Sequence, residues 1–442
     1  MAIPPWTVEL LRRGLNDVAR RAREPETLEK LKNQATEIIQ DLPQTAARGL
    51  DAVMRATEAG KKNVQRWSKK QVAIAIPMVN ASGTLMTPLG TGVPVAEEAV
   101  EAAYACLHGD VRRDHHANQR LTRELHRHLD SSANLEIAVA ANLNAILTAL
   151  VIGMSQEDIL IHRSQAIRLR SGDSLVDALN SMVPIVQEVG ANDSIEASDF
   201  AAFDSFCLIV ADDETKPNPP EPLRLDKPAV TQVVVLPVAT LRQTKDSQLA
   251  SVEAAIDAGA DLVIVEGGGV FGGPECGILI GNREIVDAII ESAVWKSLEA
   301  TSAVQAMLVS TLGKSATGEL PIDALLQTGE ENLKARAERL AMRLTASDSI
   351  KSCQVTAEDA RITPKGRWRY PSRQVRVEHR SLTAKEWAEQ LREELPSLIV
   401  REDEQAIIVD LKWVSPASDG KIGELIGGLQ SASPSETTSE IP

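Results

Sequence analysis

The chain has 442 residues, and 43% of them are apolar, which is enough for a large core and for two or three domains at roughly 100–200 residues each. Aromatic residues make up only 3%, so the core must consist mainly of Ala, Val, Ile and Leu. The net charge of −15 excludes a general nucleic-acid-binding protein. Four widely spaced cysteines without a CxxC pair exclude a disulfide framework and a structural zinc site.

The first 70 residues differ in charge from the rest of the chain. They hold 14 basic and 9 acidic residues, whereas the remainder holds 33 and 53. Apolar residues at helical spacing predict a helical, basic N-terminal segment over 1–70. Solvated helix faces are the simpler explanation of the basic residues, and contact with nucleic-acid phosphates is the alternative.

Residues 71–310 alternate short apolar runs with amphipathic stretches, which predicts one large α/β domain with a mainly parallel sheet covered on both faces. The predicted strands are Leu135–Val139, Asp158–His162, Pro184–Val189, Phe206–Val210, Thr231–Leu236, Asp261–Val265 and Cys276–Ile280. The predicted helices are Ala96–Leu107, Asn118–Leu129, Asn144–Val151, Ser247–Ala258 and Glu284–Val309.

Residues 311–442 differ from the predicted large domain in the order of their helices and strands. In 311–426, two helices and several strand candidates predict a small α+β domain. The tail 427–442 is rich in Ser, Gly, Thr and Glu, and we expect it to be disordered.

No run approaches about 18 consecutive apolar residues, and the first residues lack a long apolar stretch. We therefore expect a cytoplasmic protein without membrane contact.

Two segments are candidates for a binding site. A loop containing Gly267, Gly268 and Gly269 joins two apolar strands, and it either wraps a phosphate or planar cofactor or forms a tight hairpin. The sequence of this loop matches neither the GxGxxG fingerprint of dinucleotide-binding sites nor the phosphate-binding P-loop. The turn with Asn142 and Asn144 opens a helix, where free N–H groups favour an anion, although an ordinary helix cap is the simpler interpretation.

The remaining motifs exclude two classes of chemistry. The histidines between residues 108 and 128 lack an HExxH pattern, so we expect no metal. No GxSxG segment supports a hydrolase triad, and no residue is a candidate catalytic residue.

Four segments follow one another in the order found in one family. They are Val79-Asn-Ala-Ser-Gly, the turn at 139–145, Val189-Gly-Ala-Asn-Asp, and Ala258-Gly-Ala-Asp-Leu-Val leading into Gly272-Gly-Pro. They resemble the INATG, VNNNAA, VGTTNR and GADLVxFSGDKLLGGP segments of the bacterial selenocysteine synthases, the L-seryl-tRNA(Sec) selenium transferases. The resemblance extends over most of the chain. It implies the fold of the fold-type-I pyridoxal phosphate (PLP) transferases, with PLP as cofactor.

The chain departs from this family at the residues that carry its chemistry. The position of the lysine that forms the Schiff base is Gly269, and glycine has no amine. Leu236 lies near the position of the Asp that pairs with the pyridinium nitrogen. Met86 is the residue nearest to the family's histidine, and Asp193 replaces an arginine. Covalent PLP is therefore predicted to be absent, and Asn142, Asn144 and the three glycines are candidates for cofactor contacts only.

Three functions remain open. The first is a non-catalytic relative that keeps the scaffold for binding or assembly. The second is an active PLP-dependent transferase, whose displaced lysine would be Lys216, Lys227, Lys245 or Lys296. The third is a protein that binds another small anion between the glycine loop and the Asn142 turn. The resemblance also implies a homodimer or larger homo-oligomer, and it makes weak tRNA binding through residues 1–70 an expectation.

Overall fold

The computed structural model describes residues 76–90, 93–108, 117–129, 134–155, 157–169, 172, 174–182, 186–191, 195–223, 230–243, 248–315 and 317–428. Residues 77–442 form one compact unit of the chain. The predicted basic segment 1–70 lies outside the described residues. So does the predicted tail 427–442, except for its first two residues, which end the last helix.

The described strands and helices are numbered in chain order. The strands are β1 (Met78–Ala81), β2 (Leu135–Ala140), β3 (Asp158–His162), β4 (Val186–Val189), β5 (Phe206–Ala211), β6 (Val230–Leu236), β7 (Ala239–Thr240), β8 (Ala250–Ser251), β9 (Leu262–Glu266), β10 (Gly277–Asn282), β11 (Ile350–Thr356), β12 (Asp359–Arg361), β13 (Arg369–Pro371), β14 (Gln374–His379), β15 (Ser397–Glu402) and β16 (Ile407–Asp410). The helices are α1 (Glu97–Leu107), α2 (Ala117–His126), α3 (Leu143–Gly153), α4 (Leu175–Met182), α5 (Val252–Asp257), α6 (Arg283–Glu291), α7 (Trp295–Leu298), α8 (Ser302–Ser315), α9 (Pro321–Gln327), α10 (Glu330–Thr345), α11 (Ala384–Glu393) and α12 (Asp419–Gly428).

Seven strands form the larger sheet, in the order β2-β10-β9-β6-β5-β3-β4. From β9 to β4 all neighbours are parallel, while β10 is antiparallel to both of its neighbours. Helices α3, α4 and α6 pack on one face and α2, α5 and α8 on the other. Because both faces are covered, strands such as β5 are apolar and buried at every residue. The predicted mainly parallel α/β sheet is confirmed.

The helices differ from the predicted ranges where the backbone has other partners. The predicted helix Glu284–Val309 is wrong as a single helix, since it consists of α6, α7 and α8. The break occurs because Glu299 and its neighbours pair with the end of β2, with Ala300 N donating to Val139 O at 2.9 Å. Helix α5 is shorter than predicted, because the Ser251 hydroxyl caps it by accepting from Ala254 N at 3.1 Å.

The C-terminal part contains a second sheet of five strands, in the order β1-β15-β16-β14-β11. Helices α10, α11 and α12 pack on it around a core that includes the fully buried Trp387. Strand β1 lies at its edge, with Met78 paired in parallel to Ser397. The expected large domain, 71–310, includes this strand, whereas the structure places the strand in the sheet of the C-terminal part.

A small hairpin connects the two sheets. Strands β12 and β13 pair in antiparallel fashion and project the turn 362–368 towards the larger sheet. The segment after β1 follows the hairpin, since Leu85 N donates to Arg361 O at 3.0 Å and Met86 N donates to Ile362 O at 2.8 Å. Its turn reaches the carboxyl end of β5, because the Arg367 guanidinium donates to Asp212, the residue after that strand, at 3.0 and 2.9 Å.

Within the described part of the chain, no helix is both long enough and apolar enough to cross a membrane.

Candidate functional site

A cavity of about 1010 Å³ opens at the carboxyl ends of β3, β5, β6 and β9. This edge is where open α/β sheets bind their ligands, because the loops that follow parallel strands meet there. The polar and charged residues that line it include Asn142, Asn144, Arg168, Asp212, Asp213, Glu214, Glu266, Glu275, Thr363 and Lys365. Loops of the larger sheet and the turn of the β12–β13 hairpin together form its wall.

Both predicted asparagines line this cavity. Asn142 caps helix α3, and its side-chain oxygen accepts from Ala145 N at 2.9 Å. Asn144 lies in the first turn and is exposed. The helix therefore presents its N-terminus to the cavity, as the sequence indicates.

The glycine loop folds back on itself between the antiparallel strands β9 and β10. Gly267 N donates to Cys276 O at 2.9 Å, and Gly273 N donates to Gly267 O at 2.8 Å. Gly267, Gly268 and Gly269 are buried, and the described residues that line the cavity are instead Glu266 and Glu275, at the two ends of the loop. The loop therefore joins two antiparallel strands through ten residues that include a short 3₁₀ turn at Gly269–Phe271.

Gly269 is the residue that the sequence motifs match to the family's Schiff-base lysine. Its φ of +61° is left-handed, and a Cβ added here would lie 2.7 Å from Met86 Cε and 3.0 Å from Met86 Sδ. Leu236, which the sequence motifs place near the family's pyridinium-pairing Asp, is 1% exposed and packs in the apolar core. These residues do not fit a PLP aldimine at this position, because the amine is absent and Met86 occupies the adjacent space.

The hairpin turn contributes side chains that sequence reasoning missed. Arg367 forms a two-pronged ion pair with Asp212, at 3.0 and 2.9 Å, and also donates to Asp213 O at 3.1 Å. Asp212 is 4% exposed. Burial raises its pKa, while the hydrogen bonds from Arg367 act in the opposite direction. Trp368, 1% exposed, anchors the turn by donating from Nε1 to Gln248 O at 3.0 Å.

One of these residues had a signal in the sequence. Asp212 directly follows an apolar strand, and a polar residue at the carboxyl end of a parallel strand is a candidate for a site. Thr363, Lys365 and Arg367 had no such signal, since they belong to a hairpin of the C-terminal part.

The candidate displaced lysines lie in different places. Lys216 Nζ donates to Ser164 O at 2.8 Å. Lys296 is exposed on α7, and Lys227 and Lys245 lie outside the described residues. Lys365 is the lysine that lines the cavity among the described residues, and it was not a candidate from the sequence.

The cavity has an excess of negative charge. Its described lining includes five carboxylates and two cationic side chains, Arg168 and Lys365. One carboxylate, Asp212, is neutralised by Arg367 from the neighbouring wall. No group of three or more His, Cys, Asp or Glu residues in the described part of the chain converges as a metal site would. The remaining carboxylates are thus spread along the wall.

The chain is similar to known proteins in sequence and in fold. The family described as L-seryl-tRNA selenium transferase matches residues 238–415. The L-seryl-tRNA(Sec) selenium transferase of Carboxydothermus hydrogenoformans is 23% identical over 371 residues, which cover 76% of this chain and 78% of that protein. The protein of the same name from Desulfomicrobium baculatum is 24% identical over 298 residues, covering 61% and 63%.

A solved structure, that of D-glucosaminate-6-phosphate ammonia-lyase, superposes with a TM-score of 0.56 at 13% identity and covers 81% of this chain and 97% of that one. At this identity the likeness concerns the fold alone. The predicted resemblance to the selenocysteine synthase family and the predicted fold-type-I PLP-transferase-like fold are confirmed.

Proposed function

We propose that this relative of the L-seryl-tRNA(Sec) selenium transferases is a non-catalytic binding protein that has lost covalent PLP. The observation that carries the proposal is Gly269, at the Schiff-base position, with the Met86 thioether over its Cα. An amine is required there for the covalent cofactor, and a lysine could enter only if Met86 moved. The negative charge of the cavity supports the same proposal, because it repels the doubly charged phosphate of PLP.

The test is to add PLP to the purified full chain, record the visible spectrum and reduce with borohydride. We expect no aldimine band and no PLP attached to any peptide. Gly269→Lys alone should also fail, since the new side chain meets Met86. Gly269→Lys combined with Met86→Ala should form an aldimine but not convert seryl-tRNA, because Leu236 leaves the pyridinium without a carboxylate.

The second candidate is an active PLP-dependent transferase with a displaced lysine, and the position of Lys365 on the cavity wall favours it. In that case borohydride would attach PLP to the peptide that contains Lys365, and Lys365→Gln would abolish the adduct. Such an adduct on the wild-type chain would contradict the non-catalytic proposal.

We further propose that the protein is a homodimer or larger. Helix α1 exposes three apolar side chains on one face, with exposed fractions of 51% for Val100, 63% for Tyr104 and 73% for Leu107. A symmetric interface would cover this face. Sedimentation should show a dimer that Tyr104→Lys dissociates, whereas Met342→Lys, at an exposed apolar residue of α10, should leave it intact. A wild-type monomer at micromolar concentration would contradict the proposal.

For tRNA, the partner of the enzymes named above, we propose weak and salt-sensitive binding through the basic segment 1–70. The rest of the chain is strongly acidic and repels a phosphate backbone. Fluorescence anisotropy should show weaker binding for the double variant Lys61→Gln/Lys62→Gln. The matched double variant Lys334→Gln/Lys385→Gln, at exposed lysines of the body, should bind as the wild type does. Equal loss in both variants would contradict a role for this segment.

A further inference from the structure

We propose that Ser164 is a nucleophile that takes the acyl group of a small carboxylic ester and passes it to water. This inference goes beyond the proposed function, which concerns PLP chemistry, because the reaction needs no cofactor. It follows from three side chains, those of Ser164, His162 and Asp199, that form a hydrogen-bonded array beside the cavity.

The array is a single line of hydrogen bonds. The Ser164 hydroxyl lies 2.8 Å from Nδ1 of His162, and the opposite ring nitrogen, Nε2, lies 3.1 Å from a carboxylate oxygen of Asp199. A hydroxyl beside an imidazole that a carboxylate orients is the arrangement that activates serine nucleophiles. Serine proteases present Nε2 to the serine, whereas Nδ1 faces it here. Both ring nitrogens can accept a proton, so either arrangement supplies a base.

The backbone determines which ring nitrogen is the base. Ser164 N lies 3.2 Å from Nδ1 of His162, and a backbone N–H group can only donate. We therefore assign Nδ1 as the acceptor without a proton, and Nε2 as the nitrogen that donates to Asp199. The Ser164 hydroxyl shares the same acceptor at the shorter distance. The neutral ring is thus in place to take the proton of the hydroxyl.

The imidazole is held in one position by its neighbours. His162 is fully buried, and a Cβ added at Gly190 would lie 1.8 Å from its Nε2, so a side chain there would displace the ring. The Asp199 oxygen that faces the ring also accepts from Glu196 N at 2.8 Å, which fixes the carboxylate. Ser164 lies at the outer end of the array and is half-buried. The base is therefore rigid, while solvent reaches the residue that carries the nucleophile.

The array adjoins the cavity at the carboxyl end of β3. Ser164 belongs to the short turn Arg163–Gln165, and the residues that follow this turn, 166–169, line the cavity. The Ser164 carbonyl accepts from Lys216 Nζ at 2.8 Å, and Lys216 directly follows the lining residues 212–215. Ser164 thus adjoins two segments of the cavity wall. The volume of about 1010 Å³ suits a small-molecule substrate.

The reaction is the hydrolysis of an ester in two steps. The Ser164 oxygen bonds to the carbonyl carbon while its proton moves to Nδ1 of His162, and the alcohol leaves with that proton. Water then bonds to the same carbon and gives a proton to Nδ1, and the acid leaves as the serine oxygen regains the proton. One ester and one water yield one acid and one alcohol. The Lys216 ammonium adds positive charge near Ser164, where the oxyanion forms.

The probes for the test are a fluorophosphonate, which reacts with activated serines, and 4-nitrophenyl acetate as the ester. Peptide mapping of the full chain should find the phosphonate on Ser164 and, after the ester, an acetyl group on the same residue. Ser164→Ala should remove both adducts. It should also slow the release of nitrophenol at least about tenfold, because the reaction then lacks its nucleophile and base pair.

Ser381 is the matched control within the same chain. Its hydroxyl lies 3.3 Å from Nδ1 of His379, but that nitrogen also accepts from Ser381 N at 3.1 Å and from Leu382 N at 3.0 Å. Ser381 is exposed, whereas Ser164 is half-buried. Accessibility alone would therefore direct the phosphonate to Ser381, and activation by the array directs it to Ser164.

Asp199 is a positioning residue, and its substitution tests the whole array. Asp199→Asn keeps an oxygen for Glu196 N but removes the charge that orients the ring, so kcat for the ester should fall at least about tenfold with KM nearly unchanged. Ser198→Ala removes a neighbouring hydroxyl that donates to Glu196 and should change neither constant. The proposal is overturned if Ser164 stays unlabelled, if Ser381 is labelled as fast, or if Asp199→Asn reacts like the wild type.

The two proposals fail separately. A borohydride-trapped PLP adduct would overturn the loss of PLP chemistry and would not alter the labelling of Ser164. An unlabelled Ser164 without a PLP adduct would overturn only the assignment of this serine as a nucleophile.

Discussion

The two hairpins beside the cavity differ in what they contribute to it. The hairpin of β9 and β10 carries Gly269, which the sequence motifs match to the family's lysine, and its glycine-rich loop is held by its own backbone hydrogen bonds. The hairpin of β12 and β13 comes from the C-terminal part and supplies Thr363, Lys365 and the Arg367–Asp212 pair. The second hairpin thus adds Thr363 and Lys365 to a cavity whose carboxylates come from loops of the larger sheet. A hairpin inserted in the second sheet therefore completes a cavity that the larger sheet begins.

The largest loss of stability should follow from breaking the ion pair between Arg367 and Asp212, which holds the β12–β13 hairpin. Arg367→Ala leaves the Asp212 carboxylate buried without its cation, which should cost about 3–5 kcal/mol in the free energy of unfolding. Urea denaturation measures this loss, and Arg369→Ala, an exposed arginine of the same hairpin, is the control. Equal stability of the two variants would mean that the ion pair does not hold the hairpin.

The stability that Arg367→Ala loses should depend on pH in a defined direction. Burial already raises the pKa of Asp212, and removal of Arg367 raises it further. A protonated Asp212 needs no cation. The loss of stability in Arg367→Ala should therefore be largest at neutral pH and shrink in acid.

The contribution of Lys412 to stability, at the base of the β12–β13 hairpin, should change at alkaline pH. Lys412 is 3% exposed, its amine donates to Leu326 O and Thr328 O at 3.0 Å, and it lies 5.5 Å from the Tyr370 ring centroid of β13. Burial lowers its pKa from 10.5 to about 8. The unfolded chain then binds more protons than the folded one between these pH values, so this residue's contribution to stability rises with pH in this range.

This increase in the free energy of unfolding should be at most about 3 kcal/mol, because each pKa unit corresponds to about 1.36 kcal/mol. Unfolding curves at several pH values should show that Lys412→Met lacks this increase, whereas Lys385→Met, at an exposed lysine, retains it. Parallel pH profiles for wild type and Lys412→Met would show that the amine titrates normally.

The glycine hairpin should lose less stability when its conformation is disturbed. Gly269→Ala places a side chain at positive φ and against Met86, and we expect a cost of about 2 kcal/mol. Gly318→Ala is the matched control, because Gly318 has a φ of +65° and no atom within 4 Å of an added Cβ. The difference between the two unfolding free energies measures the contact with Met86. Equal costs would mean that Met86 moves away freely.

The smallest effect concerns the thiol inside the glycine hairpin. Burial raises the pKa of Cys276 to about 12, so little reactive thiolate forms at neutral pH. Thiol labelling followed by peptide mapping should modify Cys106, which is partly exposed, well before Cys276. Early modification of Cys276 would show that the glycine loop opens readily.

Much of the larger sheet could be predicted because its strands are uniformly apolar and lie between amphipathic helices. The parallel strands β3, β5 and β6 differ from the predicted ranges by no more than one residue at either end. The prediction failed at Glu284–Val309, where apolar periodicity continues although Glu299 pairs with β2. Tertiary hydrogen bonds decided this break, and a local pattern does not contain them.

The candidate site could be predicted only where the strands themselves determine it. Asn142 and Asn144 follow β2 directly, so their place at the sheet edge is a consequence of local sequence. Thr363 lines the cavity, and Arg367 contacts Asp212, from a hairpin more than 150 residues after Asp212. Their contact depends on how two sheets pack, which a single sequence does not reveal.

The position of β1 sets the order in which the cavity can be completed during synthesis. Its partner β15 follows about 320 residues later, so β1 leaves the ribosome long before the strand that holds it exists. The segment after β1, which carries Met86, also waits for Arg361 and Ile362. The larger sheet can thus assemble from contacts between nearer segments while one wall of the cavity is still missing. A nascent chain halted before the hairpin would lack Thr363 and Lys365, so this wall of the cavity would form only once the C-terminal sheet is complete.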